Sequence, residues 1–330
     1  MRAIRLHAFG PAENLSYETI PRPVPASGQV RIAVAAAGVH LLDVSLRKGV
    51  EGPPAPLPPL PTTPGREVAG TVDAVGPGTD PAWLGRSVVA HLGFAPGGYA
   101  DYAVTDAARL HPVPEGLDHA RAVAMIGTGR TALGILQFAG LGPGSTALVT
   151  AAAGGIGTLL VQYAKNAGAT VVALAGGPAK CALATANGAD LAVDYTTADW
   201  AGTVRAHHPD GGTVLFDSVG AATARTALGL LAPGGRHLVH GWSGGPLTLT
   251  DAERAALAAR GITSQVVLGP AMLEAVGAPD PLRVLETRAL AEAAAGRLRP
   301  AVRRFPLAEA AAAHRALETR ATTGKVVLEP

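Results

Sequence analysis

The sequence is poor in cysteine and in lysine. Cys181 is the single cysteine among 330 residues, which excludes an internal disulfide and a zinc site built from several cysteines. We therefore expect a cytoplasmic protein. Lysine occurs four times against 23 arginines. Because the arginines are scattered along the chain, we interpret this as a compositional bias and not as a phosphate-binding surface.

The chain also lacks an excess of charge of either sign. Its 27 basic and 25 acidic residues leave a net charge of +2, which predicts neither a nucleic-acid partner nor binding to an anionic membrane. Apolar residues make up 48% and charged residues 16%, a balance typical of a globular core. A length of 330 residues favours two domains.

No unbroken apolar run indicates a membrane span. The stretch 131–164 has no charged residue or histidine, but the glycine-rich segment Gly140–Ser145 interrupts it. We therefore predict that it forms buried pieces of an α/β core.

Seven prolines fall between Pro53 and Pro64 and predict a polyproline-type surface loop. An SH3-type ligand is the alternative, and the absence of basic residues in this stretch disfavours it.

The pattern of apolar residues changes near Leu117. Before it, period-two segments such as Gln29–Val34 and Val68–Gly76 predict strands, with further strands at Ser87–Ala90 and Tyr99–Val104. After it, short apolar runs alternate with helical segments, which predicts a parallel, doubly wound sheet. The predicted strands of that sheet are Ser145–Ala152, Thr170–Ala175, Leu191–Asp194, Thr213–Asp217 and Arg236–His240.

A glycine-rich turn follows the first of these strands. The segment Ala151–Gly157 ends a predicted strand and opens a predicted helix, so its backbone N–H groups could bind a pyrophosphate. Gly154 would admit the phosphates and Gly157 would allow close packing of helix on strand, whereas Ala152 replaces the first glycine of the usual fingerprint. A ligand-free turn is the alternative, but the surrounding strand–helix–strand pattern favours a dinucleotide.

The end of the second strand indicates which dinucleotide is bound. NAD-binding proteins commonly carry an acidic residue there, but the stretch Ala173–Pro178 has none. Lys180 follows closely and could bind a 2′-phosphate, so we predict NADPH as the cofactor. The alternative is that Lys180 is an ordinary solvent-exposed helix residue.

The order and spacing of several short motifs resemble the medium-chain dehydrogenase/reductase superfamily, and within it the zinc-free quinone oxidoreductase (zeta-crystallin-like) branch. The motifs are Ala36–Asp43, Pro64–Gly70, Gly97–Ala100, Gly129–Leu133, Ala151–Gly157 and Gly188–Asp190. The resemblance implies an α/β protein with a GroES-like β-barrel catalytic domain at residues 1–121 and 271–330. A Rossmann NADP-binding domain at 122–270, an active-site cleft between the domains and a homodimer are also implied.

The resemblance further implies a set of site residues. His40, Asp43 and Arg47 are expected near the nicotinamide, with His40 standing where the branch usually has asparagine. The alternatives are an interior histidine and a helical Asp43–Arg47 ion pair. The cofactor-binding residues are expected to be Thr131, Ala153, Gly154, Gly155, Ile156, Gly157, Gly176, Lys180, Tyr195 and Gly241.

The three positions that hold catalytic zinc in related alcohol dehydrogenases are altered here. They are His40, Arg66 and Gly127, of which only the histidine could bind the metal, and a catalytic zinc needs three protein ligands. We therefore predict a zinc-independent oxidoreductase that transfers hydride from NADPH to a small-molecule quinone or α,β-unsaturated carbonyl compound. The alternatives are an enoyl or enone reductase of a biosynthetic pathway and a noncatalytic, crystallin-like NADPH-binding protein.

Overall fold

The computed structural model describes residues 1–50 and 56–330. Residues 53–55 of the predicted proline-rich loop therefore lie outside the described residues. The strands are β1 (Arg2–Leu6), β2 (Leu15–Thr19), β3 (Gln29–Val39), β4 (Glu67–Val75), β5 (Ser87–His91), β6 (Tyr102–Asp106), β7 (His111–Pro112), β8 (Thr146–Thr150), β9 (Thr170–Ala175), β10 (Leu191–Asp194), β11 (Gly212–Asp217), β12 (Leu231–Val239), β13 (Thr263–Val266), β14 (Val302–Pro306) and β15 (Lys325–Glu329).

Helices follow most strands of the second half of the chain. The helices are α1 (Leu41–Arg47), α2 (His119–Ala124), α3 (Arg130–Leu136), α4 (Gly155–Asn166), α5 (Pro178–Ala186), α6 (Trp200–His207), α7 (Ala221–Leu228), α8 (Asp251–Ala259), α9 (Pro270–Val276), α10 (Pro281–Ala294) and α11 (Ala310–Glu318). A π-helical turn over Met125–Gly129 joins α2 to α3.

The chain forms two compact units. The first unit contains Met1–Gly129, Glu286–Ala295 and Pro300–Pro330, and the second contains Arg130–Leu285 and Gly296–Arg299. The units thus divide the chain near residues 129 and 285, whereas the sequence predicts domain boundaries at residues 121 and 270. Helix α2 belongs to the first unit because it packs on β3 and β4.

The first unit is built mainly from antiparallel strands. Its large sheet has the order β14-β15-β3-β4-β5-β7, with β6 paired to β3, while β1 and β2 form a separate ribbon. In β3 the alternation of buried Val30, Ile32 and Val34 confirms the predicted half-buried strand. The strand continues to Val39, beyond the predicted end. Its last four residues are all buried, so the polar alternation that marks a strand in a sequence is missing there.

The second unit contains a six-stranded parallel sheet with the order β10-β9-β8-β11-β12-β13. Numbered within the unit this order is 3-2-1-4-5-6, that of dinucleotide-binding doubly wound folds. The predicted α/β class and parallel sheet are therefore confirmed, and two predicted strands, Thr170–Ala175 and Leu191–Asp194, have the observed bounds. Strand β13 was not predicted, because its Thr-Ser-Gln-Val sequence is exposed and lacks an apolar run.

The uncharged stretch 131–164 folds as α3, β8 and α4 of this second unit. Within the described ranges, no helix combines the length and the apolar character needed to cross a bilayer. The predicted helix after the glycine turn begins at Gly155 and ends at Asn166, and Gly168 follows with a left-handed φ of 81°.

Candidate active site

The glycine-rich turn lies at the point where the strand order of the parallel sheet reverses. It follows β8, the strand that has β9 on one side and β11 on the other. In sheets of this type ligands bind outside the carboxyl ends of the strands at this reversal point. Gly154 caps α4, and the first turn of this twelve-residue helix supplies unpaired backbone N–H groups.

Gly157 is required by the packing of α4 on the end of β8. A Cβ atom at Gly157 would overlap the Ala151 carbonyl oxygen and lie 2.8 Å from the Ala152 Cα. The helix can therefore approach the strand only if residue 157 is glycine, as the sequence predicts. Ala152 is fully buried, and the left-handed residue of the turn is Ala151, with φ of 46°. The predicted departure from the glycine fingerprint thus does not prevent the turn.

The structure brings several other predicted cofactor residues to the side of the same sheet at which its strands end, which we call the carboxyl edge. Gly176 follows β9, Lys180 lies half-buried in the first turn of α5, and Tyr195 follows β10. A Cβ atom at Gly176 would lie 3.4 Å from the Tyr195 hydroxyl oxygen, so these two residues are neighbours. Gly241 follows β12 and packs on Ser218, since its Cβ would lie 3.0 Å from the Ser218 carbonyl oxygen.

The remaining predicted cofactor residues lie in the turn itself, in α4 or in α3. Ala153 is buried inside the turn and Thr131 is the second residue of α3, half-buried. Gly155 and Ile156 form the first turn of α4, as expected. The turn residues and the strand-end residues of the second unit are therefore brought together by one feature, the parallel sheet, while Thr131 is placed by a helix that precedes that sheet.

Asp194 is a charged residue of this edge that the sequence analysis did not identify. Its carboxylate accepts hydrogen bonds from the Thr196 backbone N–H at 2.9 Å and the Thr196 hydroxyl at 2.6 Å. These bonds and one from the Gly177 backbone hold the pKa of Asp194 below its ordinary value. The prediction examined only the end of β9 for a carboxylate. Neighbouring strands of a parallel sheet end on the same side, so the end of β10 lies beside the end of β9. A search at the end of β10 would have found Asp194.

A buried polar network supports the turn after β11. Asp217 is fully buried, its Oδ2 atom lies 3.2 Å from His237 Nε2, and its Oδ1 atom accepts the backbone N–H groups of Val219 and Gly220 at 3.0 Å. Burial acts to raise the pKa of Asp217, but the hydrogen bonds from His237 and the turn lower it. An ionised Asp217 thus fixes the loop that precedes α7.

The first unit contains a compact charged cluster around the residue predicted to be catalytic. His40 Nε2 lies 2.6 Å from Glu67 Oε1 and 2.7 Å from Lys325 Nζ, and Lys325 Nζ lies 2.8 Å from Glu67 Oε2. Glu67 and Lys325 are buried, whereas the His40 side chain is 26% exposed. We call these three residues the His40 cluster. It joins the ends of three strands, because His40 follows β3, Glu67 begins β4 and Lys325 begins β15.

The two buried members of the His40 cluster respond differently to burial. Burial would raise the pKa of Glu67, but the charges of His40 and Lys325 outweigh it and hold the pKa well below its ordinary range. Burial lowers the pKa of Lys325, and the Glu67 carboxylate partly offsets that effect. The cluster therefore holds a permanent carboxylate beside an ammonium group that loses its proton more readily than an exposed lysine does.

Two glycines make room for the Glu67 carboxylate. A Cβ atom at Gly38 would overlap Glu67 Oε2, and one at Gly127 would overlap Glu67 Oε1. Gly127 is also the position at which the resemblance would place a zinc-binding cysteine. Any side chain there would displace the carboxylate that binds His40 and Lys325. Within the described residues, no group of three His, Cys, Asp or Glu side chains is arranged to bind a metal ion.

Asp43 connects the His40 cluster to a second group of buried charges. Its Oδ2 atom accepts the His40 backbone N–H at 2.8 Å and the Tyr99 hydroxyl at 3.2 Å, and its Oδ1 atom lies 3.5 Å from Arg66 Nε. Burial, and then the charge of Asp43, raise the pKa of Tyr99 well above its ordinary value, so the phenol keeps its proton and donates it. Asp43 thus fixes the start of α1 and makes a long contact with Arg66.

Arg47 does not pair with Asp43 as a helical ion pair would require. Its guanidinium group donates to the Gly10 carbonyl oxygen and to Glu318 Oε1, whereas its buried Nε atom has no hydrogen-bond partner among the described residues. Glu318 also binds Lys48 at 2.8 Å. The predicted catalytic residues His40, Asp43 and Arg47 therefore lie together at α1, but each binds residues from other elements. The sequence analysis did not identify Glu67 and Lys325 as partners of His40. Lys325 reaches His40 only because β15 pairs with β3.

Comparison with known proteins places the chain in a family. Residues 26–115 match the family model of the alcohol dehydrogenase GroES-like domain, and residues 155–276 match that of the zinc-binding dehydrogenase. The chain is 33% identical to a quinone oxidoreductase of Pseudomonas aeruginosa over 333 residues, which covers 100% of this chain and 99% of the relative. The chain belongs to the medium-chain dehydrogenase/reductase superfamily. Within it, the chain is an oxidoreductase of the quinone oxidoreductase branch.

Two further comparisons bear on this membership. A 2-haloacrylate reductase from a Burkholderia species is 32% identical over 333 residues, with 98% of each chain covered. The crystal structure of Escherichia coli quinone oxidoreductase complexed with NADPH has a TM-score of 0.85 at 27% identity and full coverage of both chains. The predicted GroES-like and Rossmann domains are thereby confirmed as the fold of this chain.

Proposed function

We propose that this protein transfers hydride from NADPH to a quinone or an α,β-unsaturated carbonyl compound without the help of zinc. The observation that carries the proposal is the Gly157 turn at the strand-order reversal of the second unit, where only glycine allows α4 to meet β8. The NADPH complex of the Escherichia coli relative supports the same cofactor for this chain.

The residues at the carboxyl edge of the parallel sheet fit NADPH. The N-terminus of α4 would bind the pyrophosphate, and Lys180 and Tyr195 would bind the 2′-phosphate, with Gly176 and Gly241 allowing close approach of the ligand. Thr131 would contact the region of the nicotinamide ribose. When bound, NADPH supplies the hydride, and the protein positions it and stabilises the charge that develops on the acceptor.

The side chains at the three zinc positions do not fit a catalytic zinc ion. The Lys325 ammonium lies 2.7 Å from the Nε2 atom of His40, and Arg66 is a cation bound to Asp43. A side chain at position 127 would overlap Glu67. Without a Lewis acid, alkoxide formation from a simple alcohol is unassisted. A quinone or an enone is an easier substrate, because hydride addition to it yields a hydroquinone anion or an enolate that is stabilised by resonance.

His40 is proposed to stabilise the oxygen of the acceptor and to donate a proton to it. The side chain is partly exposed, and its Nε2 atom lies 2.6 Å from the Glu67 carboxylate. A proton that leaves the imidazole can be replaced from the Lys325 ammonium at 2.7 Å, because burial weakens the hold of Lys325 on its proton. Lys325 would then recover its proton from solvent. Asp43 acts as a positioning residue in this scheme, since it holds the His40 backbone.

The relatives favour a conjugated acceptor. Two of the relatives that match over nearly their full length are named a quinone oxidoreductase and a 2-haloacrylate reductase, and the second name denotes reduction of a conjugated carbon–carbon double bond. We further propose a cytoplasmic homodimer, joined at β13. This strand is the edge of the parallel sheet, and all four of its residues are exposed, including Val266 at 58%. Light scattering on the purified chain tests the dimer.

The proposed function is tested by NADPH oxidation, followed at the nicotinamide absorbance band, with a panel of quinones and enals. We expect turnover with members of both classes and a slower reaction with NADH. Turnover confined to large polycyclic enones would support the biosynthetic alternative. Saturable NADPH binding with no turnover on any acceptor would support the noncatalytic alternative and contradict the proposal.

Replacing Lys325 with methionine tests the proton path. We expect kcat to fall by about tenfold or more, because general acid catalysis typically contributes 10² or more, and the pH dependence of kcat to change. Glu67 would then be buried without its partner, so the double variant Lys325→Met, Glu67→Gln serves as the folding control. Lys165→Met, which alters an exposed lysine of the second unit, should retain the parent pH profile. A parent-like pH profile for Lys325→Met contradicts the proposed path.

A further inference from the structure

A cavity of about 180 Å³ lies in the first unit beside α1. It is lined by apolar side chains from three segments, with Leu46 on α1, Leu57 in the proline-rich segment and Phe94 after β5. Three charged residues, Asp43, Arg47 and Arg66, also line it. At roughly 30 Å³ for each water-sized group, the cavity admits a compact molecule of about six non-hydrogen atoms. An apolar wall with a few polar groups is typical of a small-ligand site.

Arg66 is the charged residue of this cavity whose bonding is least complete. A guanidinium group carries five N–H donors. Among the described residues, the single partner of the Arg66 side chain is Asp43, and that contact is long, with 3.5 Å between Nε and Oδ1. Both terminal nitrogens have no protein acceptor there, although the residue is only 8% exposed. A mostly buried guanidinium with two unused nitrogens is suited to a carboxylate, which it can bind through two parallel hydrogen bonds.

The charged residues around the cavity carry one net positive charge, which one added anion would balance. Arg47, Lys48 and Arg66 supply three positive charges, whereas Asp43 and Glu318 supply two negative charges. Asp43 is moreover shared, because its Oδ2 atom accepts the His40 backbone N–H and the Tyr99 hydroxyl. His314, which touches Tyr99 at 3.3 Å, adds no positive charge near neutral pH, since burial lowers its pKa to about 4. Arg47 adds a second guanidinium to the wall, and its buried Nε atom has no partner within residues 1–50 and 56–330.

We propose that this cavity binds the carboxylate of a small α,β-unsaturated acid and that Arg66 selects such anionic acceptors over neutral ones. The inference rests on the proposed hydride transfer. In that reaction the hydride from the reduced nicotinamide forms a C–H bond at the β carbon, the π bond breaks, and the α carbon takes a proton from solvent, which leaves the nicotinamide oxidised. A free carboxylate opposes hydride addition by its negative charge. Pairing with Arg66 offsets that charge and stabilises the added electron density.

Equilibrium binding tests the inference without any turnover. Calorimetry with the cofactor-free protein compares 2-chloroacrylate with 2-chloroacrylamide, which has the same double bond and no charge. We expect the acid to bind at least tenfold more tightly than the amide. Arg66→Gln should abolish this preference and Arg66→Lys should retain part of it. Arg86→Gln, which changes an exposed arginine of the same unit, should keep it in full.

Equal affinities for acid and amide, or a preference unchanged in Arg66→Gln, would overturn the inference, provided that the melting temperatures show the variants to be folded. The ratio of kcat/KM for the acid to kcat/KM for the amide, measured with NADPH, should fall at least tenfold in Arg66→Gln. If quinones are reduced but the acid binds no better than the amide, the anion site alone is contradicted. If the acid binds preferentially but no acceptor is reduced, the proposed hydride transfer fails and the anion site stands.

Discussion

Lys180 and Asp194 are two charged residues that follow or end neighbouring strands of the parallel sheet, near the predicted phosphate position. Lys180 lies in the first turn of α5, and Asp194 ends β10 and binds the Gly177 backbone. The sequence predicted the first residue from its nearness to the end of β9. It did not predict the second, because a carboxylate on the neighbouring strand is eighteen or more residues away along the chain.

The opposite charges of these residues lead to opposite expectations for cofactor choice. Lys180→Ala should lower the preference for NADPH over NADH about tenfold, because a charge-assisted bond to a phosphate contributes about 1.5 kcal/mol or more and 1.4 kcal/mol corresponds to a factor of ten. Asp194→Asn, which keeps an acceptor for Thr196 and removes a negative charge, should raise the preference. The measurement is the ratio of dissociation constants for the two cofactors, obtained from fluorescence titration.

Lys165→Ala provides the matched control for this measurement. Lys165 is an exposed lysine of the same unit that pairs with Asp190, and its loss should leave the cofactor ratio unchanged. An unchanged ratio in Lys180→Ala would show that Lys180 is an ordinary helix residue. NADPH binding would then have to depend on other groups of the edge, such as Tyr195.

At the scale of elements, the contact between β8 and α4 determines whether the glycine-rich turn of the predicted cofactor site can form. The helix approaches the strand so closely that residue 157 has no space for a Cβ atom. The same kind of constraint operates in the first unit, where Gly38 and Gly127 leave space for the Glu67 carboxylate. In both places a missing side chain on one element allows a functional group on another element to take its position.

Gly157→Ala tests the close approach of α4 to β8. We expect a loss of about 1–3 kcal/mol in unfolding free energy, typical of overpacking, together with a large loss of NADPH affinity as the helix N-terminus moves. Gly142→Ala is the matched control, because a Cβ atom there meets no atom within 4 Å and the backbone φ is negative. Denaturant unfolding and NADPH titration supply the two readouts. Parent-like NADPH binding by Gly157→Ala would show that the turn does not hold the cofactor.

At the scale of the whole molecule, each compact unit contains a buried histidine whose pKa is lowered far enough to keep it neutral at pH 7. His314 lies in the first unit and His240 in the second, and burial lowers the pKa of each to about 4. In the unfolded chain both would titrate near 6.5. The unfolded state therefore binds more protons than the folded state between pH 6.5 and pH 4, so folding stability should decrease as the pH falls through this range.

Stability at two pH values measures this effect. Between pH 7 and pH 5 each buried histidine should remove about 2 kcal/mol of stability, since one pKa unit corresponds to about 1.4 kcal/mol. Replacing His240 or His314 with phenylalanine should reduce the loss for the unit concerned, and calorimetry can follow the two units if they unfold separately. His207→Phe, which changes an exposed histidine, should leave the loss as it is. A parent-like pH dependence in both buried-site variants would contradict the prediction.

The sequence by itself determined the α/β class, the parallel sheet and the glycine turn, because each of these depends on local periodicity or on residues adjacent in the chain. It also determined which residues stand at the zinc positions and that Lys180 follows β9. Only the tertiary structure decided that Glu67 and Lys325 contact His40 and that Arg66 lines a cavity with Asp43. It also decided that Asp194 lies at the carboxyl edge of the parallel sheet, with the predicted cofactor residues. These contacts join residues far apart in the chain, and strand pairing, which local patterns do not specify, brings them together.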